Sequence, residues 1–156
     1  MNLLKNPDFY RPKTYVMLLA VLCTFFSVIF SFVQIDNLHF SLTTLVQVDT
    51  GNLNALAKKE LWKAQIAFTM AVISGMTTVY GVTMPNERRK QMKFCLFATF
   101  PAMFQFLLMY QFVEAVKGQI IYLGILFPII ELVFLFAARI FLRLDEEKIK
   151  KMNRLW

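Results

Sequence analysis

The sequence predicts an all-α membrane protein: a four-transmembrane-helix antiparallel bundle with a short extracytoplasmic β-strand-bearing loop and a cytoplasmic interfacial C-terminal helix. Composition is the first reason, because 58% of the 156 residues are hydrophobic and only 17% are charged. An ordinary soluble domain has about 25% charged residues, and a soluble core of this size cannot bury so much apolar surface. The second reason is the presence of four apolar segments of about twenty residues or slightly more, the length of a membrane-crossing helix.

These segments divide a single membrane domain, residues 1–156, into spans and connections. A helix rises about 1.5 Å per residue, so twenty residues cross a hydrocarbon layer of roughly 30 Å. The predicted bounds are 14–35 for the first span, 36–60 for the extracytoplasmic loop, 61–84 for the second span, 85–92 for the cytoplasmic loop, 93–113 for the third span, 120–142 for the fourth span and 143–156 for the tail.

The distribution of charge is the third reason and predicts the sidedness. With both termini in the cytoplasm, thirteen of the seventeen Lys and Arg residues lie on the cytoplasmic side, whereas the acids are spread almost evenly. This is the positive-inside pattern, which follows basic residues and largely ignores acidic ones. The net charge of +7 is therefore a topology signal, and we expect no nucleic-acid partner. The expected partner is the lipid bilayer, with head groups contacted by Arg88, Arg89, Lys90, Arg139 and Arg143.

The extracytoplasmic loop contains an alternating segment, "LHFSLTTLVQVD". Apolar residues at almost every second position over 38–48 predict an amphipathic strand, and a turn sequence follows it at 49–52. Because a lone strand is not stable in water, this one is expected to lie on the helix ends, on the membrane surface or against a partner's strand. Its candidate partner contacts are Phe40, Leu42 and Val46.

The tail sequence "DEEKIKKMNRLW" predicts a short helix. Two acidic residues each stand four positions before a lysine, a spacing that supports a helix. An apolar stripe flanked by lysines predicts that this helix lies along the cytoplasmic interface of the membrane, and docking onto a soluble cytoplasmic partner is the alternative. The stripe adds three candidate partner contacts, Ile149, Met152 and Trp156.

One carboxylic acid, Glu131, stands inside the fourth span in the stretch "FPIIELVF". Gly124 and Pro128 precede it on the same face of the helix, and small residues mark the faces on which membrane helices approach closely. Pro128 lacks the amide that would bond to the Gly124 carbonyl, which predicts a helix kink there. Glu131 is therefore expected to point toward protein, in its neutral form because a charge at the bilayer centre is costly.

Polar residues of the other three spans fall near the depth of Glu131. Counted along the helical rise from the inner ends, Glu131 lies about 16 Å deep and Gln105 about 18 Å deep, and the remaining two residues lie at the middle of their spans. The predicted polar layer, which we call the midplane layer, consists of Glu131, Gln105, Ser74 and Thr24. In this layer Glu131 is either a neutral hydrogen-bonding staple or a protonatable site for coupled ion movement.

The sequence shows no catalytic constellation. It has one His and no serine-hydrolase, zinc-protease or nucleotide-binding motif, and Cys23 and Cys95 are expected to be free thiols because they differ in depth by about 10 Å. We therefore expect no enzyme, no cofactor and no metal site. The predicted function is that of a non-enzymatic accessory or assembly subunit, bound to a larger membrane-protein partner or to copies of itself. The alternative is a proton- or cation-coupled small transporter or channel that uses Glu131.

Two stretches carry a family resemblance, "RRKQMKFC" at the opening of the third span and "LGILFPIIELVFLFAARIFLRLDEEKIKKMNRLW" at the C-terminus. They resemble a family of small four-helix inner-membrane proteins from Bacteroidota, a domain of unknown function, and the likeness in layout covers nearly the whole chain. The family's ending falls here on Arg143, Asp145, Glu146, Lys148, Arg154 and Leu155. The chain departs from the pattern at Trp156 and at Glu131. The resemblance thus implies the four-helix layout but no activity and no family-wide role for Glu131.

Overall fold

Helices and short strands follow one another in the computed structural model, which describes residues 12–35, 38–47, 55–84 and 87–153. In chain order these elements are α1 (Pro12–Ile29), β1 (Val33–Ile35), β2 (Leu38–Phe40), α2 (Leu42–Gln47), α3 (Ala55–Thr83), α4 (Arg88–Val116), β3 (Gln119–Ile120) and α5 (Tyr122–Asn153). Four of the helices, α1, α3, α4 and α5, are long and apolar enough to cross a membrane. The prediction of a multi-pass membrane protein with four helical spans is confirmed at this level.

A small sheet joins the connections at one end of the bundle, which we call the sheet end. The strand order is β2-β1-β3 with both pairings antiparallel. Val33 stands opposite Phe40 on one side and opposite Ile120 on the other. The end of α1, the end of α4 and the start of α5 therefore meet here. The strand after position 37 pairs with β1 of its own chain.

The opposite end of the bundle, which we call the basic end, collects the other helix termini. Lys13 at the start of α1 contacts Gln91 near the start of α4 and Asp145 in the last third of α5. Gln91 in turn donates to the carbonyl of Gly81, which lies near the end of α3. Because each long helix joins the sheet end to the basic end, consecutive spans run in opposite directions.

The prediction of a strand over 38–48 holds for Leu38–Phe40 and is wrong for residues 42–47, and Val48 lies outside the described residues. Residues 42–47 form helix α2, because a reciprocal cap starts it. Ser41 Oγ accepts a hydrogen bond from the backbone amide of Thr44 at 3.3 Å, and Thr44 Oγ1 accepts one from the amide of Ser41 at 2.7 Å. Leu42 and Leu45 are three positions apart, so they would face opposite sides of a strand but lie on one side of a short helix, where both are fully buried.

The first predicted span, 14–35, ends six residues beyond the end of the observed helix. Helix α1 ends at Ile29, and the apolar run that continues the hydropathy signal is strand β1. Hydropathy alone cannot separate a buried strand from a buried helix. The backbone of Phe32 accepts from Ile121 and donates to Phe40, so this segment satisfies its polar groups through the sheet instead of through a further helical turn.

The tail is not a separate interfacial helix. Residues 143–153 continue α5, which has 32 residues in one element. No Gly or Pro follows Pro128 in this element, so nothing in the sequence breaks the helix at the membrane surface. A helix of this length extends about 48 Å, well beyond a hydrocarbon layer of roughly 30 Å. Helices α3 and α4 are also longer than predicted, since α3 begins at Ala55 and α4 covers Arg88–Val116.

Candidate functional site

The carboxyl of Glu131 lies inside the bundle, where the side chain has no exposed surface. Its Oε1 is 2.6 Å from Ser74 Oγ of α3, and the same hydroxyl oxygen is 3.1 Å from the backbone carbonyl oxygen of Ala98 in α4. The buried hydroxyl of Thr78 donates to the carbonyl of Ser74 one turn further along α3. The Ser74 hydroxyl therefore links α3, α4 and α5, three of the four membrane helices.

The remaining membrane helix, α1, joins this layer through two hydroxyl side chains. Gln105 of α4 donates through Nε2 to Ser27 Oγ at 2.8 Å, and Ser27 Oγ donates to the carbonyl of Thr24 at 2.7 Å. Thr24 Oγ1 donates to the carbonyl of Ala20 at 3.0 Å and lies beside the Glu131 carboxyl. The structure thus places Glu131, Ser74 and Thr24 together and connects Gln105 to them through Ser27, a residue that the predicted layer did not include.

The number of protons in this layer favours a neutral Glu131. The Ser74 hydroxyl has one hydrogen but two acceptors within hydrogen-bonding distance, Glu131 Oε1 and the Ala98 carbonyl. If Glu131 carries a proton on Oε1, it donates to Ser74 Oγ, and Ser74 donates to Ala98. An ionised carboxylate would instead compete with Ala98 for the single hydrogen and leave a charge on the buried Oε2, which finds no partner in the described residues.

A second cluster of buried polar side chains lies at the basic end, and the sequence patterns did not predict it. Lys13 is 2% exposed, and its Nζ is 3.5 Å from Gln91 Oε1 and 4.0 Å from Asp145 Oδ2. Gln91 is 3% exposed and donates through Nε2 to the Gly81 carbonyl at 3.1 Å. From the sequence, Lys13 is simply one of the thirteen basic residues placed on the cytoplasmic side, because its depth depends on where α1 begins. The one available signal was the single Gln within the basic run "RRKQMK".

The family model described as Domain of unknown function (DUF4293) matches residues 13–155 of this sequence. The chain belongs to the DUF4293 family. The match begins at Lys13 and includes all four membrane helices, the midplane layer and the basic-end cluster. No curated protein and no solved structure matches the chain. The resemblance drawn from the sequence is thus confirmed for the domain of unknown function.

The partner-contact candidates of the DUF4293 chain divide into buried and accessible residues. Phe40 is 8% exposed and Leu42 has no exposed surface, so both serve the core at the sheet end and are wrong as contacts for a partner. Val46 on α2 is 40% exposed and Ile149 on α5 is partly buried, so both remain accessible. The side chain of Met152 and the whole of Trp156 lie outside the described residues.

The predicted head-group residues of this family member lie at the basic end of α4 and α5. Arg89 Nε pairs with Glu146 Oε1 at 3.1 Å, and Lys90 pairs with Glu87. Arg143 Nε pairs with Glu147 Oε1 at 3.3 Å, Arg139 is exposed on α5, and Arg88 is half-buried. The arrangement holds the first turn of α4 against the distal part of α5.

In the ranges that the structure describes, no group of three or more His, Cys, Asp or Glu side chains could hold a metal ion. Cys23 and Cys95 are both buried free thiols. The chemical groups concentrated in the protein interior are thus the hydroxyls, amides and single carboxyl of the midplane layer.

Proposed function

We propose that this DUF4293 chain is a non-enzymatic accessory or assembly subunit of a larger membrane protein complex. We place it in the inner membrane of a bacterium, such as a member of the Bacteroidota, with both termini and the basic end in the cytoplasm. The excess of Lys and Arg at that end supports this orientation. The proposal makes the bundle a scaffold whose exposed elements, and not its interior, carry the function.

The observation that carries this proposal is the uninterrupted course of α5 past the membrane. Its last eleven residues, 143–153, extend about 16 Å beyond the fourth predicted span. Two contacts hold the base of this extension against the bundle, Asp145 to Lys13 and Glu146 to Arg89. A helix anchored at its base with a charged distal turn is suited to docking on a soluble domain or on the cytoplasmic part of a larger subunit.

The interior polar layer supports a structural use of Glu131. Its carboxyl is shared between helices through Ser74, it is fully buried, and no cation is paired with it in the described part of the chain. Transporters generally show several intramembrane ionisable groups and broken helices in related halves. A single neutral acid that ties helices together serves a bundle whose task is to hold its shape.

One observation favours the alternative, a proton- or cation-coupled small transporter or channel that uses Glu131. Two buried oxygen atoms of the midplane layer, Glu131 Oε2 and Gln105 Oε1, have no hydrogen-bond partner among the described residues. Unsatisfied oxygens at mid-membrane depth are suited to receiving a proton or a hydrated cation in passing. In this alternative the chain would work as an oligomer, because four helices barely enclose a path.

The first experiment is extraction of the tagged protein from its native membrane in a mild detergent, followed by identification of proteins that co-purify in constant stoichiometry. The accessory-subunit proposal predicts a larger membrane protein, and removal of residues 146–156 should release it while the bundle remains folded. Elution of the chain alone, or only with copies of itself, would overturn the proposal.

Substitutions of Glu131 separate the two functions. A staple predicts that Glu131→Gln leaves the complex intact, because Gln retains hydrogen-bonding capacity, and that Glu131→Leu weakens it. A proton-coupled transporter predicts that Glu131→Gln already abolishes proton or cation flux into liposomes, because the protonatable group is gone. Full function of both variants would exclude both roles for this residue.

A further inference from the structure

Two adjoining hollows lie between α4 and α5 at the basic end, and together we call them the α4–α5 groove. Their volumes are about 580 Å³ and about 430 Å³, and both are lined by Met92, Arg139 and Glu146. The first also has Phe136, Ile140 and Arg143 along α5, and the second has Arg89, Lys93, Leu96 and Lys150. The groove therefore presents five basic side chains, one carboxylate and an apolar floor.

The two walls of the groove have matching patterns. On α5 the residues at i, i+3, i+4 and i+7 alternate apolar and basic, and they are Phe136, Arg139, Ile140 and Arg143. On α4 the same spacing holds basic residues at i and i+4 and apolar residues at i+3 and i+7, and these are Arg89, Met92, Lys93 and Leu96. Because the helices are antiparallel, each wall is apolar toward the membrane centre and basic toward the surface.

Depth along α5 matches the groove to the parts of a phospholipid. Measured from Glu131 in the midplane layer, Phe136 is displaced by about 8 Å, Arg139 by about 12 Å and Glu146 by about 22 Å along the helix. The hydrocarbon half-thickness is about 15 Å. Phe136 thus lies at acyl-chain depth and Glu146 in the head-group region. The backbone of Arg139 lies about 3 Å inside the hydrocarbon boundary, and its long side chain reaches outward to the phosphates.

The charges of the groove are only partly compensated by the protein. The Glu146 carboxylate is already engaged by Arg89 at 3.1 Å and Lys150 at 3.0 Å. Across the described ranges, no carboxylate lies within ion-pair distance of Arg139 or Lys93. An uncompensated guanidinium near the hydrocarbon boundary is costly, and a phosphate diester is the anion whose geometry matches it.

We propose that the α4–α5 groove binds an anionic phospholipid, whose phosphate contacts Arg139 and Lys93 and whose acyl chain lies along Phe136 and Leu96. The general attraction of basic loops for anionic membranes predicts no preferred place on the protein. This site is instead formed by two helices, holds one lipid against them and stabilises the junction from which the distal part of α5 extends.

The proposal is tested by native mass spectrometry and thermal unfolding of the full chain in nanodiscs or vesicles of phosphatidylcholine, with and without 20% phosphatidylglycerol as the probe. Wild type should retain one phosphatidylglycerol and unfold at a higher temperature when it is present. The double variant Arg139→Gln with Lys93→Gln should lose affinity by about thirtyfold, since each basic residue near the surface contributes about fivefold.

The matched control carries the same charge change at exposed lysines outside the groove, as Lys59→Gln with Lys148→Gln. It should retain the lipid and the temperature shift of wild type. Equal losses in both double variants would reduce the effect to general electrostatic attraction and overturn the proposal. An equal shift of wild type by inorganic phosphate or glycerol phosphate would indicate a soluble-phosphate site and overturn it as well.

A second measurement uses wild type alone, so it does not depend on the folding of any variant. Phosphatidylglycerol with a photoreactive acyl chain should crosslink chiefly to Met92, Leu96, Phe136 and Ile140. Crosslinks distributed evenly over the outward-facing residues of α1 and α3, such as Phe25 and Val72, would contradict a defined site.

Discussion

Among single residues, Glu131 is accommodated because one hydroxyl relays its hydrogen bond to the backbone. Ser74 Oγ lies between Glu131 Oε1 and the carbonyl of Ala98, so the acid needs no cationic partner. The burial of Glu131 was predictable from the small residue and the proline on its face of the helix. The identity of its partner was not, because a shift of one residue in the register between α3 and α5 would replace Ser74 with a neighbouring side chain.

Removal of this hydroxyl should weaken the bundle. Ser74→Ala is expected to lower the free energy of unfolding in detergent by about 1 kcal/mol, the usual size of an interhelical hydrogen bond in a membrane protein. Thr77→Ala is the control, because Thr77 is only partly buried and its hydroxyl donates within its own helix, to the carbonyl of Ile73. In a Glu131→Leu background the cost of Ser74→Ala should fall by about 0.5 kcal/mol or more. Equal costs in both backgrounds would refute the coupling.

Two glycines that face neighbouring helices should respond differently to alanine. At Gly124 a Cβ atom would lie 2.7 Å from the Cα of Phe32 and still closer to the carbonyl of Ser31, and this backbone has no room to yield. At Gly75 it would meet only the Thr24 methyl group at 3.4 Å. Gly124→Ala is therefore expected to destabilise the protein by about 1–3 kcal/mol, whereas Gly75→Ala should be neutral or stabilising by up to about 1 kcal/mol. Thermal unfolding of both variants in one detergent checks this order, and equal melting temperatures would contradict it.

Among the elements, helix α5 differs most from its prediction. Hydropathy indicated where the apolar span ends, but the helix itself continues for another eleven residues. Lys150 and Arg89 hydrogen-bond to the Glu146 carboxylate and hold the pKa of that carboxyl below its ordinary value. Because the pKa of Glu146 is lowered in the folded state, its ionised carboxylate contributes to stability above the ordinary carboxyl pKa. This contribution is lost as the pH falls through the pKa of the folded state.

Acidification should therefore loosen the distal part of α5. A spin label at Lys148→Cys is expected to become more mobile between neutral pH and about pH 3, where carboxylates protonate. Glu146→Gln should raise the mobility already at neutral pH and reduce the pH dependence, because the carboxylate that Arg89 and Lys150 engage is gone. Glu147→Gln is the control, because Glu147 pairs with Arg143 on its own helix. An unchanged pH profile in Glu146→Gln would disprove this account.

For the whole molecule, the sheet end and the basic end differ in how they are closed. The sheet end is closed by backbone pairing and an apolar cluster that includes Phe32, Leu45 and Phe112. The basic end is closed by the side chains of Lys13 and Gln91. The contrast places most of the charge at one end of the bundle and supports the proposed sidedness.

The proposed orientation predicts the labelling of single introduced cysteines. Cys23 and Cys95 are buried, so an impermeant maleimide should react little with wild type. His39→Cys at the sheet end should be labelled from the periplasm of cells with an intact inner membrane, whereas Lys148→Cys at the basic end should react only after that membrane is opened. The reverse pattern would show the opposite orientation.

The sequence alone determined the class of the protein and its four apolar helices, because hydropathy acts along one chain and needs no partner. Tertiary structure decided the rest. Residues 33–35 became a strand because two neighbouring segments were within hydrogen-bonding reach. The sequence alone did not show that Lys13 is buried or that the two basic stripes of α4 and α5 meet in one groove. Both depend on how antiparallel helices pack side by side, and that register is set by contacts between segments far apart in the sequence.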